Sequence, residues 1–271
     1  MTPSEWILLS TIRIEAVTSC GLSTGTGFFF DFCLEKESHK CIPTIVTNKH
    51  VIKGSRTGKL RFSVKDNAGQ PLWGQHLDVQ VENFEKNWIH HPDPSIDLCV
   101  LPIAAIHNEI TKSQKDLFYT SADYTLIPDE ESLKDNFSRI EDITIIGYPD
   151  GIWDAHNNMP IVRRGITATS LQLDFDNQPK FLVDAAIYGG SSGSPVFVFN
   201  QGSFALPKGG LVAGNRLKLV GIIHAVALHT VEGNIRIVDI PTSKVPMSTT
   251  QIPNNLGIAI HARKLLDFES I

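Results

Sequence analysis

The sequence predicts an all-β protein built from two lobes. Short segments in which apolar and polar residues alternate recur along most of the 271 residues, as expected for half-buried strands. The segments form two groups, and the alternation is lost between residues 104 and 138. The regular succession of strands and helices that a parallel sheet requires is missing from the sequence. We therefore expect each group of strands to form a barrel.

The first group of strands falls within residues 1–120, which we predict to form the N-terminal lobe. Strands are expected at residues 12–17, 27–30, 44–51, 60–64, 77–81 and 98–103. Helical turns are expected at residues 105–112, where the connection between the lobes begins.

The second group falls within residues 121–271, which we predict to form the C-terminal lobe of the same domain. Its strands are expected at residues 143–146, 165–173, 181–186, 196–200 and 217–223. A short helix is predicted at residues 262–268, and no sequence repeat remains.

The composition is that of a globular enzyme. The chain is 42% hydrophobic and 20% charged, with a net charge of −5 and a pI near 6.0, which gives no basic surface for nucleic acid. No apolar run is long enough for a membrane helix. Residues 1–10 lack the basic start and cleavage site of a signal peptide, so we expect a cytoplasmic protein.

A serine-containing turn is the strongest functional signal in the chain. Residues 189–195 read Gly-Gly-Ser-Ser-Gly-Ser-Pro. Glycines allow successive backbone N–H groups to point into one small space, where they can bind a developing oxyanion. Because a serine hydroxyl is a weak nucleophile, this interpretation requires a base and an orienting acid elsewhere.

A candidate base and a candidate orienting acid both occur upstream of the serine turn. His50 follows the apolar run at residues 43–47, and Asp97 precedes the apolar run at residues 98–101. The histidine can accept a proton from a serine, and the aspartate can hold the imidazole through its other nitrogen.

In this order, the three segments resemble those of the chymotrypsin-like serine proteases, most closely the bacterial HtrA-like branch. The chain matches at residues 49–51 (Lys-His-Val), 97–101 (Asp-Leu-Cys-Val-Leu) and 184–195. The resemblance implies two six-stranded antiparallel β-barrels of the chymotrypsin type and a short C-terminal helix. It also implies a serine endopeptidase whose triad is His50, Asp97 and Ser192. No PDZ domain, which HtrA proteases normally carry, remains in the sequence.

The same resemblance assigns the surroundings of the triad. The backbone N–H groups of Gly190 and Ser192 would bind the oxyanion of a tetrahedral intermediate that leads to an acyl-enzyme. The substrate would be an extended polypeptide, no metal or organic cofactor would be needed, and a companion protein could regulate activity. The walls of the S1 pocket, which receives the substrate P1 side chain, would be formed by Ala186, Ile187, His224, Ala225 and Val226.

These wall residues predict cleavage after small or medium aliphatic residues. No carboxylate occurs at Ala186 to attract Lys or Arg, and Val226 stands where many relatives have glycine, which should exclude large aromatics. His224 could either line the pocket or contact Asp97.

Activation is predicted to need no N-terminal processing. In secreted trypsin-like enzymes, a freed N-terminal ammonium pairs with an aspartate immediately before the nucleophile. This chain has Ser191 at that position and no recognisable Ile-Val-Gly-Gly cleavage site, so that ion pair cannot form.

Two alternative functions remain open from the sequence. Residues 189–193 also match the Gly-x-Ser-x-Gly elbow of α/β-hydrolases, with Ser191 as nucleophile and Asp239 and His261 as its partners. The elbow must lead into a helix, however, whereas residues 194–199 have the pattern of a strand. The second alternative is a catalytically silent relative that binds protein partners through the same cleft.

The four cysteines are expected to be reduced thiols, as is usual in the cytoplasm. A bridge between Cys33 and Cys41, which flank a predicted hairpin tip, is the alternative. His90, His91 and Asp93 could bind a metal ion. The sequence favours an exposed turn at this place instead, because prolines flank Asp93.

Overall fold

The computed structural model describes residues 1–35, 40–231 and 250–270. The strands of the first lobe are β1 (Thr11–Thr18), β2 (Gly21–Glu35), β3 (Lys40–Thr47), β4 (Ser55–Lys65), β5 (Pro71–Glu82), β6 (Ile89–His90), β7 (Cys99–Pro102), β8 (Leu117–Phe118) and β9 (Ala122–Asp123). Those that follow are β10 (Asp142–Gly147), β11 (Ile161–Thr167), β12 (Lys180–Asp184), β13 (Pro195–Asn200), β14 (Ser203–Ala205), β15 (Leu211–Ala213), β16 (Arg216–Val231) and β17 (Thr250–His261). The α-helices are α1 (Pro3–Leu8), α2 (Lys49–Ile52), α3 (Ala104–Lys112) and α4 (Glu130–Asn136), and 3₁₀ turns occupy Phe84–Asn87, Tyr124–Leu126, Pro149–Gly151 and Ala262–Ser270.

The predicted all-β fold is confirmed. In the described residues the first lobe is a nine-stranded sheet with the central order β5-β4-β1-β2-β3-β7-β6, to which β8 and β9 add at β4 and β2. The six strands predicted from the sequence correspond to β1–β5 and β7. Strand β3 ends at Thr47, four residues earlier than predicted, because residues 49–52 form the single turn of α2.

The second lobe is a closed barrel of the six strands β10-β11-β12-β17-β16-β13. Its interior is filled by apolar side chains that include Ile145, Phe181 and Val196, all fully buried. The predicted terminal helix is found as the 3₁₀ turn at Ala262–Ser270. Among the described residues, no helix is both long and apolar enough to cross a membrane.

Apolar packing joins the two lobes and the C-terminal turn. Phe30 from β2, Phe197 from β13 and Phe268 from the terminal turn belong to one buried cluster. Since this cluster draws on both lobes, close packing of its side chains holds the lobes in a fixed relation.

The prediction of an exposed turn was wrong for His91, whose ring is buried beneath Phe268. His91 Nε2 donates to the carbonyl of Lys264 (3.0 Å), and the Asp93 N–H donates to His91 Nδ1 (3.0 Å). Nε2 thus binds the C-terminal turn and Nδ1 binds the loop that carries His91, so both ring nitrogens are engaged and His91 is unsuited to bind a metal.

The expectation of four reduced cysteines was also wrong, since Cys33 and Cys41 form a disulfide. The two residues lie directly opposite each other in the β2–β3 ladder, and this register brings their side chains together. Cys20 and Cys99 are free thiols. Burial raises the pKa of the Cys99 thiol, which packs in the N-terminal core as a small apolar residue of β7.

Candidate active site

His50 is presented by the first turn after a buried strand. Val51 and Ile52, on the inner face of α2, are buried in the N-terminal core, and this fixes the outward direction of the His50 side chain. The His50 side chain keeps 45% of its surface exposed. Before the turn, the Nδ2 amide of buried Asn48 donates to the carbonyl of Asp97 at 2.8 Å, so the segments carrying His50 and Asp97 are bonded directly.

The structure pairs His50 with Asp97. His50 Nδ1 lies 2.5 Å from Asp97 Oδ2, and the His50 backbone N–H donates to Asp97 Oδ1 at 3.1 Å. Because a carboxylate only accepts hydrogen bonds, Nδ1 carries the proton and Nε2 is left with a lone pair. This is the tautomer that a general base facing a serine requires.

A second imidazole binds the same carboxylate. His224 Nδ1 lies 2.8 Å from Asp97 Oδ2. The register of β16 against β17 shifts between Ile223 and Ala225, and such a bulge redirects the side chain at its centre. Of the two roles considered for His224, contact with Asp97 is the one found.

The two imidazoles determine the charge of Asp97. Burial is the largest single influence and opposes ionisation, but the hydrogen bonds from His224 and His50 together outweigh it. They hold the pKa of Asp97 well below its usual range. Asp97 is therefore a carboxylate throughout the neutral pH range and can stabilise a protonated imidazole.

Burial distinguishes the three serines of the turn. Ser191 and Ser194 are fully buried, whereas Ser192 is partly exposed. The Ser192 carbonyl accepts from the Thr26 N–H (2.9 Å), and the Gly193 N–H donates to the Ile223 carbonyl (2.8 Å). The turn is thereby tied to both lobes through its backbone.

Strand β16 links this turn to the paired His50 and Asp97. Ile223 binds Gly193, and the next residue, His224, binds Asp97. In the described part of the chain, no hydrogen bond joins Ser192 to His50. Catalytic hydrogen bonds are often long in free enzymes and shorten when substrate binds.

Gly193 marks the closest approach of the turn to the first lobe. Its φ is +85°, and a Cβ there would lie 2.0 Å from the Thr26 carbonyl oxygen and 2.5 Å from Thr47 Oγ1. Only glycine fits, because both the backbone conformation and the available space exclude a side chain. Thr47 is the last residue of β3, three positions before His50.

Thr26 is a positioning residue whose role the sequence did not reveal. Its Oγ1 donates to the Gly190 carbonyl (2.9 Å) and accepts from the Tyr148 N–H (3.1 Å), while its own carbonyl accepts from Thr47 Oγ1 (2.7 Å). The contacts with Gly190 and Tyr148 could not be anticipated because they join residues more than a hundred positions apart.

The predicted pocket residues are divided between two segments. Ala186 is exposed and Ile187 is buried against Gly257, where a Cβ would lie 2.8 Å from Ile187 Cγ1. Ala225 is half-buried beside His224. The side chain of Val226 lies outside the part of the chain that the structure describes.

His50, Asp97 and His224 also form a set of metal-ligand types, with their ligand atoms within 4.8 Å of one another. The separations of 2.5 and 2.8 Å from the two Nδ1 atoms to Oδ2 are those of direct hydrogen bonds. A metal ion would have to displace both. The arrangement therefore suits a carboxylate that orients two imidazoles.

The α/β-hydrolase alternative does not fit the structure. Ser191 is buried, and its Oγ accepts from Arg163 Nη1 (2.7 Å) and from the Tyr188 N–H (3.3 Å). The turn leads into strand β13 instead of a helix. His261 lies in the barrel strand β17, and Asp239 lies outside the described residues.

Replacing His224 with alanine should weaken any reaction that depends on His50. The change removes one of two donors to Asp97 Oδ2, and a hydrogen bond to a charged group contributes about 1.5–3 kcal/mol, so we expect kcat/KM to fall about tenfold or more. Steady-state peptidase assays can measure this. His90→Ala, an exposed histidine of β6, is the matched control, and equal activity of the two variants would show that His224 has no part in orienting Asp97.

Comparisons with known proteins found two solved proteases that are similar to this chain. Among solved structures, the active form of the Rv3671c protease from M. tuberculosis is similar at 13% identity and a TM-score of 0.44, over 98% of this chain and 84% of that one. The HtrA-type protease AlgW with tripeptide is similar at 15% identity and a TM-score of 0.47, over 97% of this chain and 60% of that one. No significant match was found among curated proteins.

A family model settles the classification. The model of the trypsin-like peptidase domain matches residues 25–205, which is more than half of the chain. The matched range includes His50, Asp97 and the serine turn. The chain therefore belongs to the trypsin-like peptidase family.

Proposed function

We propose that this trypsin-like peptidase is a serine endopeptidase that acts through His50, Asp97 and Ser192. The observation that carries the proposal is the hydrogen-bonded pair of His50 Nδ1 and Asp97 Oδ2. The same fold presents Ser192 in a glycine-rich turn, where it is more exposed than Ser191 or Ser194. The chemistry of this set is acyl transfer, because it combines a nucleophile, a base and an orienting carboxylate.

The reaction starts when His50 Nε2 accepts the proton of Ser192 Oγ as this oxygen attacks the peptide carbonyl carbon. The tetrahedral intermediate carries an oxyanion, to which the N–H groups of Gly190 and Ser192 donate. Neither of these N–H groups donates to another group among the described residues. Protonated His50 then gives its proton to the leaving amine, and the acyl-enzyme forms.

Water completes the cycle. His50 Nε2 takes a proton from the water as it attacks the acyl carbon, then gives that proton to Ser192 Oγ as the bond to the acyl group breaks and a carboxylic acid is released. Asp97 stays ionised throughout, in keeping with its lowered pKa, and holds His50 in one tautomer.

The substrate we propose is an extended polypeptide that pairs with a strand edge beside the serine turn. A regulatory partner protein and a cytoplasmic location remain expectations from the sequence. The Cys33–Cys41 disulfide is unusual for a cytoplasmic protein, since such bonds persist mainly in oxidising compartments.

We expect cleavage to follow small or medium aliphatic residues such as Ala, Val or Leu. No carboxylate is present at Ala186 to pair with a basic P1 side chain, and Ile187 contributes an apolar wall. Incubation with a peptide library, followed by mass spectrometry of the new termini, tests both the endopeptidase activity and this preference. The His50→Ala variant is the control for contaminating proteases.

Two outcomes of that experiment would count against the proposal. A profile dominated by Arg, Lys or Phe at P1 would refute the assignment of the pocket. Intact peptides after prolonged incubation, with wild type and control alike, would favour the silent binding module.

A further inference from the structure

Arg163 lies directly behind the serine turn. It is carried by β11, and its Nη1 donates to the Ala186 carbonyl (2.9 Å) and to Ser191 Oγ (2.7 Å). Both acceptors belong to the segment that leads into Ser192. One guanidinium nitrogen therefore joins the two ends of this six-residue segment, at residues 186 and 191.

The segment between these ends contains the oxyanion-binding turn. The Ser191 N–H donates to the Tyr188 carbonyl (3.1 Å), and Ser191 Oγ accepts from the Tyr188 N–H (3.3 Å), which encloses the two glycines 189 and 190. On the opposite side, the Gly190 carbonyl is bound by Thr26 Oγ1. Arg163 and Thr26 thus hold the turn from two directions, and the orientation of the Gly190 N–H depends on both.

The charge of Arg163 is attracted by the Asp150 carboxylate, but only from beyond ion-pair distance. Its Nε and Nη2 atoms are buried without a hydrogen-bond partner, and no carboxylate of the described residues lies within ion-pair distance. Burial lowers the pKa of the guanidinium to about 10, so it stays protonated at neutral pH. A buried cation without an ion pair costs free energy of folding. A gain in stability therefore does not explain why an arginine occupies this position.

We propose that Arg163 is a positioning residue, an internal cation that holds the oxyanion turn in its active conformation and places positive charge behind it. The inference rests on the proposed function. In secreted trypsin-like enzymes a freed N-terminal ammonium pairs with the aspartate before the nucleophile. In this chain Ser191 occupies that position, and Arg163 supplies the cation from within the second barrel. Proteolytic processing is then unnecessary, as the sequence predicts.

The test is the Arg163→Met variant of the full chain, with Arg164→Gln as matched control. Arg164 is the next residue of β11 and is exposed. We expect kcat of Arg163→Met to fall about 100-fold with KM within about threefold of wild type, as when an oxyanion contact is lost. Its melting temperature should equal or exceed that of wild type, because methionine removes a buried charge. Arg164→Gln should match wild type in all three quantities.

Other results would contradict the proposed role of Arg163. If kcat of Arg163→Met stays within threefold of wild type, the inference is overturned while the proposed function stands. If wild type neither cleaves peptides nor reacts with a fluorophosphonate, both are overturned. Should Arg163→Met fail to fold, Ser191→Ala removes the same hydrogen bond and keeps the guanidinium. For Ser191→Ala we expect kcat to fall about tenfold at unchanged KM, and an unchanged kcat overturns the inference.

Discussion

Replacing Ser192 with alanine is expected to lower kcat by about a million-fold, which leaves no activity above background. The change removes the attacking oxygen and leaves the fold intact, since Ser192 Oγ makes no hydrogen bond among the described residues. Hydrolysis of a fluorogenic peptide measures the loss, and thermal melting within a degree or two of wild type shows that the fold persists.

The neighbouring serines provide matched controls. Ser191→Ala should retain about a tenth of the activity, because Ser191 acts only through the turn. Ser194 is fully buried in the barrel, where its N–H donates to the Ser191 carbonyl, so Ser194→Ala should also remain active. An inactive Ser191→Ala beside an active Ser192→Ala would mean that the nucleophile has been misassigned.

The Asp97→Asn variant is expected to lose about ten-thousand-fold in kcat with the overall geometry preserved. Asp97 Oδ1 accepts from the His50 N–H, and Oδ2 accepts from the Nδ1–H groups of His50 and His224. An amide offers one acceptor and one donor, so in either orientation its NH₂ faces an N–H group. His50 would then favour the other tautomer, in which Nε2 carries the proton and cannot act as a base.

The kcat of Asp97→Asn across neutral pH measures this effect, with Asp93→Asn as control. Asp93 is exposed, and among the described residues its carboxylate accepts only from the backbone N–H and the hydroxyl of Ser95. We expect Asp93→Asn to keep wild-type activity. An Asp97→Asn enzyme with more than a tenth of wild-type kcat would show that His50 does not depend on Asp97.

The fold and the triad segments could be predicted because their signals are local in the sequence. Alternation identified the six main strands of the first lobe and most of the second barrel. His50 and Asp97 were recognisable because each adjoins an apolar run that enters the core. The end of β3 was misplaced because an apolar residue such as Val51 fits the inner face of a short helix as well as a strand.

Contacts between distant strands could not be predicted. The Cys33–Cys41 bond depends on the β2–β3 register, and the aim of His224 depends on a bulge in β16. The sequence alone does not distinguish Arg163 from Arg164, although neighbouring residues of a strand face opposite sides of the sheet. The roles of these residues depend on the pairing of distant strands, which no short segment of the sequence specifies.

Reaction with a fluorophosphonate probe, followed by peptide mapping, tests the central claim most directly. The probe requires both an activated serine and an oxyanion site, but no knowledge of the substrate. We predict a single adduct on Ser192 in the native protein, with labelling lost after denaturation and strongly reduced in His50→Ala. A native protein that remains unlabelled, or one labelled on Ser191, would contradict the assignment of His50, Asp97 and Ser192 as the catalytic triad.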